Sequence, residues 1–142
     1  MLVIQKLNEE KLAAVSGTEK LEAFLPCTLS AALENGLTPL LMLVEGRPVG
    51  AILLGAQPEG EKPVFLRVCG MAVLPEVRRH GLGRMLMSIA AGESVQRQVW
   101  FLGADAPGGE DASGFAKAMH FKPAENGTWL LDLSDVEGMR HG

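Results

Sequence analysis

Between Met71 and Arg84 the chain reads Met-Ala-Val-Leu-Pro-Glu-Val-Arg-Arg-His-Gly-Leu-Gly-Arg, and Arg78, Arg79, His80 and Arg84 crowd its second half. Gly81 and Gly83 stand among those side chains and let the backbone approach a ligand closely. An apolar run, Val64–Val73, leads in, and Leu82, Met85, Leu86, Ile89 and Ala90 leave at helical spacing. The stretch therefore reads as strand, short loop and helix N-terminus, with Pro75 ending the strand. The first turn of a helix has unpaired N–H groups, and its dipole favours anions. With the basic side chains added, the spacing describes a seat for phosphate. The plainer reading, a strand-to-helix loop that binds nothing, stays open beside it. The loop is not a Walker A motif, because no Gly-Lys-Ser/Thr follows the glycines, nor a dinucleotide fingerprint, because Leu86 stands at the third glycine position.

The elements that must position this loop can be taken in order. Leu2–Leu7 alternates loosely as a first strand, and Asn8 is an N-cap before Glu9 and Glu10. Gly17 interrupts that helix, Thr18 starts another segment over Glu19–Leu25, and Pro26 stops it. Leu29, Ala32 and Leu33 share one face of a further helix that ends at Asn35-Gly36. Leu40–Val44 and Val49–Gly55 form a hairpin around Glu45-Gly46-Arg47-Pro48, in which Pro48 is expected outside the ladder. Gln57–Pro63 is a polar connection, and Val64–Val73 is a central strand, apolar on both faces. Gly70 inside it marks a bulge or a close backbone approach. A helix from about Gly81 to Arg97 and a strand over Val99–Ala104 complete a right-handed parallel crossover, whose ligand belongs at the strands' carboxyl ends. Asp111 caps a helix through Met119, Asn126-Gly127 makes a turn, and Trp129–Leu133 is the last strand. Ser134–Gly142 carries no core signal.

Length and composition bound the answer. A chain of 142 residues, 47% hydrophobic and 21% charged, suits one globular domain with its own core. Residues 1–134 are read as that domain and 135–142 as a tail. The net charge of -4 argues against general nucleic-acid binding. The two cysteines, Cys27 and Cys69, lie in apolar surroundings without zinc-ligand spacing, so a reduced, cytoplasmic protein with no metal is expected. Met1–Ile4 is too short an apolar run for a signal peptide or membrane span.

The order Val73-x-Pro75-x-x-Arg78-x-x-Gly81-x-Gly83 resembles the acetyl-coenzyme A loop of the GCN5-related N-acetyltransferases (GNAT), with its core signature Arg/Gln-x-x-Gly-x-Gly/Ala. A second signature of that family is matched in part. Ala112, Phe115 and Phe121 agree with it, whereas Gly109 replaces its Asn, Ala116 its Tyr and His120 its Gly. The resemblance spans roughly Leu40–Leu133. It implies an α/β fold of the α+β type: a mixed, mostly antiparallel sheet of about six to seven strands with about four helices, one parallel pair splaying at the cofactor site. It also implies that Asn8–Gly36 walls the acceptor site.

By the same resemblance, coenzyme A lies along Met71, Ala72, Val73, Arg78, Arg79, His80, Gly81, Leu82, Gly83 and Arg84. The activity implied is an acyl-CoA-dependent N-acyltransferase, passing acetyl directly from acetyl-CoA to a small-molecule or peptide amine, as a monomer or a homodimer. An oxyanion donor from the Met71–Val73 backbone would contribute about 3 kcal/mol. The family's general-acid Tyr is Ala116 here and the chain holds no other Tyr. The strand's usual carboxylate is also missing, since Arg67, Cys69 and Met71 stand there. Cys69, Ser113 and His120 are weak catalytic candidates, and Glu61, Asp105 and Asp132 are the nearby acids in sequence. These departures leave a second reading, a non-catalytic acyl-CoA-binding or regulatory module of the same fold. The third is a structural α/β domain that binds nothing.

Overall fold

The computed structural model describes residues 1–56, 64–78, 80–105, 117–123 and 128–134. Its strands are β1 (Leu2–Lys6), β2 (Thr38–Val44), β3 (Arg47–Ala56), β4 (Leu66–Val73), β5 (Phe101–Asp105), β6 (Lys122–Pro123) and β7 (Thr128–Asp132). Its helices are α1 (Glu9–Ala14), α2 (Glu19–Glu22), α3 (Leu29–Glu34) and α4 (Leu82–Gln96), with a 3-10 turn over Pro75–Val77. The strands form one mixed sheet in the order β1-β2-β3-β4-β5-β7-β6, so β4 is central as expected. One pair, β4 with β5, is parallel, at Leu66↔Leu102 and Arg67↔Gly103. Among the described residues no helix is long and apolar enough to cross a membrane.

The chain divides into two compact units, Met1–Gly55 with Val68–Ile89, and Ala56–Arg67 with Ala90–Gly142. In the first, β1, β2 and β3 run antiparallel, with Ile4 opposite Met42 and Met42 opposite Gly50. The hairpin is tighter than its sequence suggests. Glu45 (φ 50°) and Gly46 (φ 77°) alone make the turn, the left-handed pair that matches strand twist. Arg47 and Pro48 belong to β3, opposite Val44 and Leu43. Val44↔Arg47 closes the two-residue turn as a hydrogen-bonded pair, so Leu43↔Pro48 falls at a non-bonded position where a missing N–H costs nothing. The register then shifts between Met42 and Leu43, leaving Val49 as the extra residue.

Leu40–Leu43 and Val49–Leu54 are buried, which requires cover on both faces of these strands. Leu86 of α4 covers one: a Cβ on Gly50 would lie 3.2 Å from its Cδ1. The other face meets the α1–α3 segment, where Leu21, Leu29 and Ala32 are fully buried. The end of α3 follows its expected stop. Gly36 takes φ 77°, and the Leu37 N–H reaches back to the Ala32 carbonyl at 2.9 Å, a Schellman closure.

In the second unit β5 and β7 pair antiparallel over Phe101↔Asp132 to Asp105↔Thr128, and β6 adds two residues beside β7. Gly103 is required by packing, since a Cβ there would sit 2.3 Å from the Phe65 ring. The end of α4 is tied down by Ser94, whose fully buried hydroxyl donates to the Val99 carbonyl at 2.6 Å.

Candidate functional site

Strand β4 carries the first part of the site. Gly50 and Gly55, five residues apart in a regular part of β3, face opposite sides. A Cβ on Gly50 would meet Val73 Cγ2 at 3.6 Å, and one on Gly55 would meet Cys69 Sγ at 3.1 Å. Val73 and Cys69 therefore lie on opposite faces although four residues apart, which an unbroken two-residue period forbids. The alternation of β4 breaks between them, beside Gly70. A Cβ on Gly70 would also lie 2.6 Å from Pro26 Cδ, so the close approach read from the sequence is present as well.

Beyond Val73 the chain is fixed step by step. The Leu74 N–H bonds to the Val49 carbonyl at 2.9 Å, and the 3-10 turn closes with Val77 N–H on Leu74 O at 3.1 Å. Gly81 takes φ 78°, a left-handed value that suits glycine, and no atom lies within 4 Å of where its Cβ would be. The helix ladder opens with Met85 N–H on the Gly81 carbonyl at 3.0 Å. The amides of Leu82, Gly83 and Arg84 precede that bond, and no side chain among the described residues caps them. This matches what a bound diphosphate requires: donors in the first turn and open space over Gly81.

The cations of the loop differ in what they do. Arg78 donates from Nε to the Val73 carbonyl at 2.9 Å, and its guanidinium carbon lies 5.2 Å from the centroid of the Phe24 ring. Among the described residues its two Nη groups have no hydrogen-bond partner. His80 and Arg84 are exposed. Arg79 lies outside the described residues. In a chain of net charge -4, these exposed groups concentrate positive charge at the start of α4.

The structure describes some of the catalytic candidates and not others. Ser113 and Ala116 lie outside the described residues, as does Glu61. Cys69 is half-buried, with its sulfur against Gly55. His120 is exposed at φ 69°, a left-handed conformation that explains why the resembled signature has Gly at this position. The Asp132 carboxylate accepts the Ser134 N–H at 2.9 Å, a local turn. Phe24 was missed by sequence reasoning. It stands 54 positions before Arg78, and no spacing rule joins an exposed aromatic in the turn after one helix to a guanidinium in a distant loop.

The model of the acetyltransferase (GNAT) family matches residues 3–121. Among solved structures, the AtaT toxin bound to the C-terminus of the antitoxin AtaR superposes with a TM-score of 0.74 at 19% identity, covering 99% of this chain and 97% of that one. AtaTR bound with AcCoA gives 0.73 at 21% identity, with 98% of each chain covered. An IAA acetyltransferase from Bacillus cereus gives 0.70 at 12% identity, covering 94% of this chain and 100% of that one. At such identities the likeness concerns the fold. No curated protein matches the chain in sequence.

Proposed function

Because the chain belongs to the acetyltransferase (GNAT) family, we propose that it is an acyl-CoA-dependent N-acyltransferase passing acetyl from acetyl-CoA to an amine on a small molecule or peptide. The observation that carries this reading is the open first turn of α4. Gly81 is turned left-handed with clear space above it, and no described side chain caps the amides of Leu82, Gly83 and Arg84. These amides would hold the pyrophosphate, with Arg78, Arg79, His80 and Arg84 supplying countercharge. Met71, Ala72 and Val73 would line the pantetheine arm, and a backbone N–H freed where β4 loses its alternation would polarise the thioester carbonyl. Residues 1–134 act as one domain in this proposal, and 135–142 as a tail.

In the transfer the amine nitrogen forms a C–N bond to the acetyl carbonyl carbon, the C–S bond breaks, and the amine gives up one proton. The chain has no Tyr to protonate the departing sulfur. A thiol with a pKa of about 8.5 leaves tolerably as thiolate near neutral pH. Losing general-acid help costs on the order of 10²–10⁴-fold, which slows the reaction without forbidding it. The same missing Tyr, with Ala116 in its slot, favours the second reading, a module that binds acyl-CoA without turnover.

Two measurements separate these. Coenzyme A at a hundred times its Kd should add about 2.7 kcal/mol of stability, read as a rise in Tm. No rise at millimolar coenzyme A removes both readings. Thiol release from acetyl-CoA across a panel of amines then supports the transferase, and binding without release supports the module.

A further inference from the structure

Phe24 is 48% exposed, yet its ring is not idle. It sits directly after α2, held by its own N–H on the Leu21 carbonyl at 3.0 Å, next to the fully buried Leu21 and the buried Leu25. Against this ring lies the guanidinium of Arg78, 5.2 Å from the centroid. The same guanidinium donates from Nε to the Val73 carbonyl, the last residue of β4. Arg78 thus touches both the Phe24 ring and the strand end, and it does so from the loop that leads into α4.

We propose that Phe24 and Arg78 form a latch that sets the position of the loop between Val73 and Gly81, and so of the first-turn amides of α4. Phe24 is a positioning residue for the acyl-CoA site; this rests on the function proposed above. A guanidinium is planar and rigid. Its Nε–H on Val73 fixes where the group sits, and the Phe24 ring fixes the tilt of its plane. The Nη donors lie in that plane, so the ring aims them. The held part of the loop begins at Leu74 and ends at Arg78, whose own N–H bonds to the Pro75 carbonyl at 3.3 Å. Arg78 stands three positions before the left-handed Gly81.

The test is a double-mutant cycle with coenzyme A affinity as readout, using Phe24→Leu, Arg78→Gln and the pair, with Arg78→Lys as the conservative control. Phe24→Leu should weaken binding about two- to fivefold, the scale of an exposed cation–π contact. Arg78→Gln should weaken it more, and Phe24→Leu should then add nothing. Arg78→Lys should recover only part of what Arg78→Gln loses, because an ammonium keeps the countercharge but has neither the planar face nor the Nε donor. The salt dependence of affinity should be the same for Phe24→Leu as for wild type, since no charge is removed. Urea unfolding of the ligand-free proteins should show the same non-additivity. Full rescue by Arg78→Lys overturns the latch and makes Arg78 a plain phosphate contact. So does unchanged affinity in Phe24→Leu, or strict additivity. Failure of the wild type itself to bind coenzyme A defeats the functional reading, a different result from wild-type binding that Phe24→Leu leaves intact.

Discussion

The N-termini of α1 and α3 are closed by the protein's own side chains, whereas that of α4 is left open among the described residues. Asn8 accepts the Lys11 N–H at 2.8 Å at the start of α1. Thr28 accepts the Ala31 N–H at 3.1 Å at the start of α3, and the Glu22 carboxylate takes the Leu29 N–H at 2.7 Å. All three helices face the same problem of unpaired first-turn donors. Two solve it with a short polar side chain in the usual place. The third, the longest helix described, has Gly81 and Gly83 there, which carry no acceptor. Capping residues were available to this sequence and were used at α1 and α3, whereas Thr18 makes no side-chain cap at the single-turn α2. The difference supports the proposal that at the long helix α4 the acceptor comes from outside.

The largest expected effect comes from closing α4. Gly83→Glu places a carboxylate among the first-turn amides. A like charge at about 4 Å from a phosphate costs about 4 kcal/mol at an effective dielectric of 20, so coenzyme A affinity should fall on the order of 10²–10³-fold. The ligand-free protein should move the other way. Replacing Gly in a helix is worth about 1 kcal/mol, and an acid in the first turn adds about 0.3–1 kcal/mol. Titration calorimetry and urea unfolding on the same variant read both signs. Unchanged affinity would put the ligand elsewhere and remove the distinction between the helices.

Opening α3 is the converse change. Glu22→Ala removes the acceptor of the Leu29 N–H and of the Thr18 hydroxyl, which donates to the other carboxylate oxygen at 2.9 Å. Thr18 is only 9% exposed, so its hydroxyl loses a partner that water replaces poorly. The expected loss is about 1–3 kcal/mol in urea unfolding, with Glu22→Gln losing less because one acceptor oxygen remains. Coenzyme A affinity should hold within twofold for the Gln variant. A stability loss indistinguishable from zero in Glu22→Ala would mean that water satisfies these donors and the closed start of α3 is an ornament.

The closed start of α1 was legible in the sequence, and so was the open one of α4, whereas the closing of α3 by Thr28 and Glu22 was not. Asn8 before two glutamates, Asn35-Gly36 after an apolar face, and Gly81 before a helical stripe are local signals, carried by residues within one turn of the feature they cause. The central position of β4 was also readable from its apolar run. What escaped depends on partners distant in sequence. Glu22 caps a helix seven residues on, across Pro26. Gly103 is glycine because the Phe65 ring lies over it, and Gly70 because Pro26 does. Pro48 entered the ladder because a two-residue turn put it at a non-bonded position, a matter of register and not of residue type. At the proposed site, the left-handed turn at Gly81 and the helix that follows it were legible in the sequence. The latch was not, since exposure of Phe24 carries no message until Arg78 is seen above it.

The smallest change sharpens the comparison most cleanly. Asn8→Ala removes the cap of α1, a loss usually worth about 1 kcal/mol. But α1 buries no residue, so little of the core depends on it. The cost should appear as local opening rather than as global unfolding. Hydrogen exchange of the Lys11 and Leu12 amides should quicken about fivefold, the factor that 1 kcal/mol commands, while Tm moves by a degree or two at most. Asn8→Asp should preserve the cap, though Glu9 and Glu10 beside it limit the gain from a further negative charge. Neither variant should alter coenzyme A affinity. If Asn8→Ala did weaken it, the first turn of α1, which the protein closes for itself, would not be separable from that of α4.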